Sequence, residues 1–94
     1  MNAAKLKLHA ELLEREIQAN LSSNKDVDWL AQYSPLLEAL RDAKEGKIDQ
    51  PRDLGLARWE LESSIQDLDV LSERLAQFGL LLWGWDRLPS ENGS

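Results

Sequence analysis

Leucine recurs at Leu54, Leu61, Leu68, Leu75 and Leu82, an unbroken spacing of seven residues. On an α-helix that spacing returns to nearly the same side every two turns, whereas in a strand an odd spacing throws successive side chains onto opposite faces. Residues 54–88 therefore read as helix, closed off by Pro89. With the five leucines at heptad position a, position d holds Ala57, Ser64, Leu71, Phe78 and Trp85, and Ile65 falls at position e. The seam thus grows bulkier toward its C-terminal end. About thirty residues of helix would span ~45 Å, more than a domain of this size needs. Ser63-Ser64 is the candidate break, because Ser63 and Gln66 have capping-box spacing. The leucine register passes through it without a phase shift, which favours one continuous helix.

Upstream, Leu6, Ala10, Leu13, Ile17 and Leu21 step by four, three, four and four and predict a helix over residues 3–21, ended by Ser22-Ser23-Asn24. Asp26 is placed to cap a short segment, 27–33, that carries Trp29 and Leu30. Ser34-Pro35 gives a fresh start, with Ser34 as N-cap and Pro35 in the first turn, where its missing N–H is harmless. Leu36, Leu37, Leu40 and Ala43 supply the buried side of that second helix, and Gly46 the residue after its C-cap. The connector 46–53 mixes Lys47, Asp49, Arg52 and Asp53, so it reads as a solvated loop anchored by Ile48. Asp53 is the expected N-cap of the last helix.

The chain of 94 residues is the length of one domain. With 43% hydrophobic and 30% charged residues it is globular in composition. Leucine far outnumbers valine and isoleucine together, which favours helix over strand. The expected fold is all-α: a small antiparallel helical bundle of three main helices, the second kinked at Ser34-Pro35, with a long C-terminal helix. Residues 1–89 form one helical domain in this reading, and 90–94 a tail outside it.

Charge and residue usage exclude several function classes. A net charge of −6 opposes binding to nucleic acid, which needs a surplus of Lys and Arg, and opposes docking on an anionic bilayer. The longest apolar stretch, 78–85, is far short of the ~20 residues that span a membrane. The opening MNAAKLKLHAELLERE lacks the apolar core of a secretion signal, so a cytoplasmic setting is expected. Cysteine is absent, which removes thiol nucleophiles and thiolate metal sites. His9 is the sole histidine, and no carboxylate stands at Glu-x-x-His spacing before it, so it reads as a surface or boundary residue. No catalytic residue, cofactor site or metal site is expected, and the chain is not read as an enzyme.

What remains is surplus apolar surface. Leu8 and Leu12 lie nearly opposite the main stripe of the first helix. Leu56, Trp59, Val70 and Leu81 lie opposite the leucine seam when the last helix is taken as continuous. Residues 78–85 are apolar all the way round and include Trp83 and Trp85, which need covering from more than one side. Glu60, Glu62, Asp67, Asp69 and Glu73 form an acidic run, with no basic residue between the first and the last. The expectation is a non-enzymatic protein-interaction module of inhibitor, immunity or antitoxin, chaperone or adaptor type. Its contacts would be the apolar and aromatic faces, with the acidic stripe steering a basic surface. Two helices with a second stripe also point to a homodimer. The alternatives are a self-assembling structural subunit and a small-ligand-binding helical bundle.

Overall fold

The computed structural model describes residues 3–84. The chain is all-α, with no strand among the described residues. Five helices follow in order: α1 (Ala3–Ala19), α2 (Lys25–Leu30), α3 (Ser34–Lys44), α4 (Ala57–Glu62) and α5 (Asp69–Leu82), with a 3-10 turn (Ser64–Asp67) between the last two. The expected tail 90–94 and Trp85 lie outside the described residues.

Helix α1 is the hub, packing along both α3 and α5. Its stripe of Leu6, Ala10, Leu13 and Ile17 is buried as its spacing predicts. Helix α1 stops at Ala19 because Ser22 turns the chain with φ of 67° and donates its N–H to the Asp28 carboxylate at 2.8 Å. Leu21, assigned to the stripe by periodicity, is consequently exposed. His9 is not a surface residue: it is buried within α1, next to Ala10.

Asn24, not Asp26, caps α2, its side-chain oxygen accepting from the Asp26 N–H at 2.8 Å. Three residues, 31–33, separate α2 from α3, which starts at Ser34. The residue preceding α3 is Tyr33, with no side-chain cap, so Ser34 begins the helix instead of capping it. Leu36, Ala39, Leu40 and Ala43 face the core, while Leu37 is exposed. Helix α3 ends as its glycine predicts. Gly46 adopts φ of 71°, its N–H bonds to Ala43 O, and Lys47 N–H bonds to Asp42 O at 2.8 Å, a Schellman closure. Lys44 joins α3 to α1 through Glu14 at 2.7 Å.

The connector is held at several points. Ile48 packs into the core. Arg52 pairs with Asp42 at 2.9 Å, and its N–H bonds to Leu82 O at the end of α5 at 2.9 Å. That pairing holds the Asp42 carboxyl below its ordinary pKa. Asp53 does not cap a helix: its carboxylate accepts from Gly55 N–H at 2.8 Å, which turns the chain so that Leu54 and Leu56 point inward before α4 begins. Tyr33 Oη clamps this loop by donating to Leu54 O at 2.8 Å.

The continuous 54–88 helix does not form. Ser63 leaves helical geometry at φ −95°, ψ 169° and its Oγ accepts from Ile65 N–H. The break is fixed from outside: Asp26 Oδ2 accepts both the Ser64 N–H (2.8 Å) and the Ser64 hydroxyl (2.7 Å), and Asn24 Nδ2 donates to that hydroxyl at 3.1 Å. These bonds hold the Asp26 carboxyl below its ordinary pKa. The described chain measures 32 × 31 × 23 Å, and a helix of ~45 Å would overhang it. Folding the stretch back instead lets Ile65, Leu71, Leu75, Phe78, Leu81 and Leu82 enter one core with α1. The heptad leucines therefore do not share a seam. Leu54 precedes α4, Leu61 is exposed, Leu68 sits in the joint, and only Leu75 and Leu82 are helical core.

Candidate functional site

Helix α5 has two useful faces. At ~100° per residue, Leu71, Leu75, Phe78 and Leu82 fall within about 60° of arc and point into the core. Ala76, Gly79, Leu80 and Trp83, at i, i+3, i+4 and i+7, share the adjoining face. That second face meets the loop before α4 and the start of α4, and together they form an open groove of about 290 Å³ lined by Asp53, Leu54, Leu56, Glu60, Leu75 and these four residues. Ala76 and Gly79 leave room where larger side chains would fill it. Gly84, with φ of 99°, ends α5 just after Trp83. Trp83 is 56% exposed at the groove's edge, and Leu80 is half-buried.

The groove is acidic at its rim and has no Lys or Arg in its lining. The Asp53 carboxylate is engaged by Gly55 N–H. The Glu60 side chain is half-buried and, among the described residues, makes no ion pair or hydrogen bond; partial desolvation beside apolar neighbours pushes its pKa above the ordinary value.

A second exposed aromatic feature lies where α2 meets α4. Trp29 stacks on Trp59 with ring centroids 4.8 Å apart and on Tyr33 at 4.9 Å. Trp29 is 44% exposed, while Trp59 and Tyr33 pack partly against the core.

The residues expected at an interface are therefore dispersed. Leu56 and Leu81 are inside the chain's own core, at 4% and 1% exposure, because the break rephases the helix on which they seemed to share an outer stripe. Leu56 reaches the groove only as part of its lining. Trp83 stands at the groove, Trp59 in the aromatic stack, and Val70 is exposed beside a small concavity with Glu16, Asp67 and Asp69. Leu8 is exposed on α1 and Leu12 half-buried there. The acidic run is likewise divided among three elements. Glu60 lines the groove, Glu62 pairs with Arg58 at 2.9 Å, Asp67 and Asp69 share the concavity, and Glu73 accepts from Gln77 Nε2 at 3.4 Å. Periodicity missed Leu80, Ala76 and Gly79. Their i, i+3, i+4, i+7 relation to Trp83 was visible once α5 was phased on its own.

Among the described residues no helix is long and apolar enough to cross a membrane, and no group of three or more metal-ligating side chains gathers. Compared with protein-family models, curated proteins and solved structures, the chain matches none.

Proposed function

We propose that this chain is a non-enzymatic protein-interaction module whose contact surface is the groove between α5 and the start of α4. The observation that carries the reading is an exposed tryptophan beside an open apolar groove with an acidic rim. Trp is enriched among residues that dominate binding energy, and apolar pockets of this kind accept anchor side chains. His9, the only imidazole, is buried in α1 and does not line the groove, which favours binding over histidine-driven acid–base chemistry there. A homodimer draws support from exposed Leu8, but its other half, Leu56 and Leu81, is core, so a different protein is the better occupant.

The test is affinity capture from the native host with wild type and with Leu80→Asp, which places a charge in the groove wall at a half-buried position on the core's edge. A protein retained by wild type and lost with Leu80→Asp, at unchanged helicity, supports the reading. Identical capture by both refutes the groove as the contact.

A further inference from the structure

Resting on the groove reading, we infer that the partner contributes a cationic amphipathic helix, with an apolar side chain seated against Leu80 and Trp83 and a Lys or Arg paired with Glu60. Three observations narrow the occupant to this. The lining holds two carboxylates and no cation, and the Glu60 side chain makes no ion pair or hydrogen bond among the described residues. A half-buried carboxylate beside leucines is costly until a cation reaches it, and a Lys or Arg whose stem lies along the groove wall does so without losing its packing. The described residues offer no strand edge as a main-chain template, and the i, i+3, i+4, i+7 face of Ala76, Gly79, Leu80 and Trp83 runs along α5 as a wall against which an amphipathic helix can lie. Finally, the chain itself carries a net charge of −6, which sets a second copy or an anionic bilayer against the rim and a basic segment in favour of it.

The probes are three amphipathic peptides of roughly 18 residues, long enough to hold a helix. They share one leucine stripe, and their flanking positions are all Lys, all Gln or all Glu. Binding is read by isothermal titration and by NMR shifts of the Leu80 and Trp83 amides. Wild type should bind the Lys peptide about five-fold or more tighter than the Gln peptide, and the Glu peptide most weakly. Glu60→Gln should erase the Lys-over-Gln preference, and Glu60→Lys should reverse it toward the Glu peptide. Glu11→Gln, the same charge change at an exposed site on α1, should leave the preference intact.

If Glu11→Gln weakens the Lys peptide as much as Glu60→Gln does, the attraction is net charge alone and the inference falls. If all three peptides bind alike and Glu60→Gln changes nothing, the groove survives as an apolar contact without the cation. If Leu80→Asp leaves every peptide bound as before, the groove reading fails with it. A shift of the Glu60 titration on Arg87→Gln in the free protein would give the cation's place to the chain itself and overturn the proposal.

Discussion

Leu61 and Leu75 occupy the same heptad position, and a continuous leucine seam would make their truncation equally damaging. The folded chain separates them: Leu75 is 2% exposed and Leu61 is 73% exposed. Leu75→Ala removes buried carbons facing α1 and leaves a cavity that a close-packed interior relaxes into only partly, at ~2–5 kcal/mol. Leu61 loses only about a quarter of its accessible surface on folding; at ~1.5–3 kcal/mol for complete burial of a leucine, its truncation removes ~0.4–0.8 kcal/mol. Alanine's better helix propensity in α4 recovers part of that. A domain of this length has ~5–14 kcal/mol of total stability, so a loss of ~3 kcal/mol leaves a measurable fold. Urea unfolding followed by far-ultraviolet circular dichroism should show a clear drop in midpoint for Leu75→Ala, with an unchanged m-value, and almost none for Leu61→Ala. A loss of ~3 kcal/mol corresponds to a fall in Tm of roughly 12–24 °C. Equal losses at the two sites would restore the continuous seam and refute the broken helix. A near-neutral Leu75→Ala would refute the assignment of the core.

Asp26 has a folded-state pKa below its ordinary 3.8, chiefly through its bond from the Ser64 hydroxyl; the resulting stability is present above that value and is lost as pH falls through the folded pKa. Acid titration of Tm should therefore show a step below pH 3.8 that Ser64→Ala diminishes. Glu60 is the opposite case. Burial raises its pKa above 4.5, so its destabilising effect is absent well below that pH and complete above the folded pKa. Glu60→Gln should raise Tm at pH 7 and leave it unchanged near pH 3. Ser22 holds a left-handed backbone at φ 67°, and Ser22→Gly should stabilise by up to ~1 kcal/mol in the same urea assay. A double-mutant cycle on Trp29 and Trp59 should return a coupling of ~0.5–1.5 kcal/mol for their stacked rings.

The helical class was legible from leucine content and spacing, and so was the buried stripe of α1, because that helix is uninterrupted and its phase can be counted from one end to the other. The closure of α3 at Gly46 was equally local: only a residue free of a Cβ takes that φ without strain. Residues 54–88 failed for a different reason. Ser63-Ser64 is legible as a candidate break, and Ser63 Oγ does accept from Ile65 N–H, but the bonds that fix the fold-back come from Asn24 and Asp26, about forty residues earlier. A contact of that separation leaves no trace in local periodicity. His9 was misread in a related way: its sequence neighbours are charged, but its place on α1 is set by the helices packed around it.

The same break explains why the site was only half legible. Counting angles from Leu54 through the joint put Leu81 on the outside and left Leu80 unassigned. Recounting from Leu75 within α5 puts Leu80 and Trp83 on one flank, about 140° and 80° from it, and Leu81 on the other flank, which the structure buries. Trp83 is expected at an interface because residues 78–85 are apolar all round, and the structure leaves it 56% exposed. The joint also gives the groove its second wall. A straight helix would carry α4 away from α5 along one axis, and Glu60 could not approach Gly79 and Leu80. Folding at Ser63-Ser64 lets Glu60 of α4 line one groove with the far half of α5, and the Asp53–Gly55 turn brings Leu54 and Leu56 into the same lining. The Asp26–Ser64 bonds are therefore a structural condition for the groove, although they lie outside its lining. On this argument Ser64→Ala should weaken a groove ligand while leaving every residue that touches it in place.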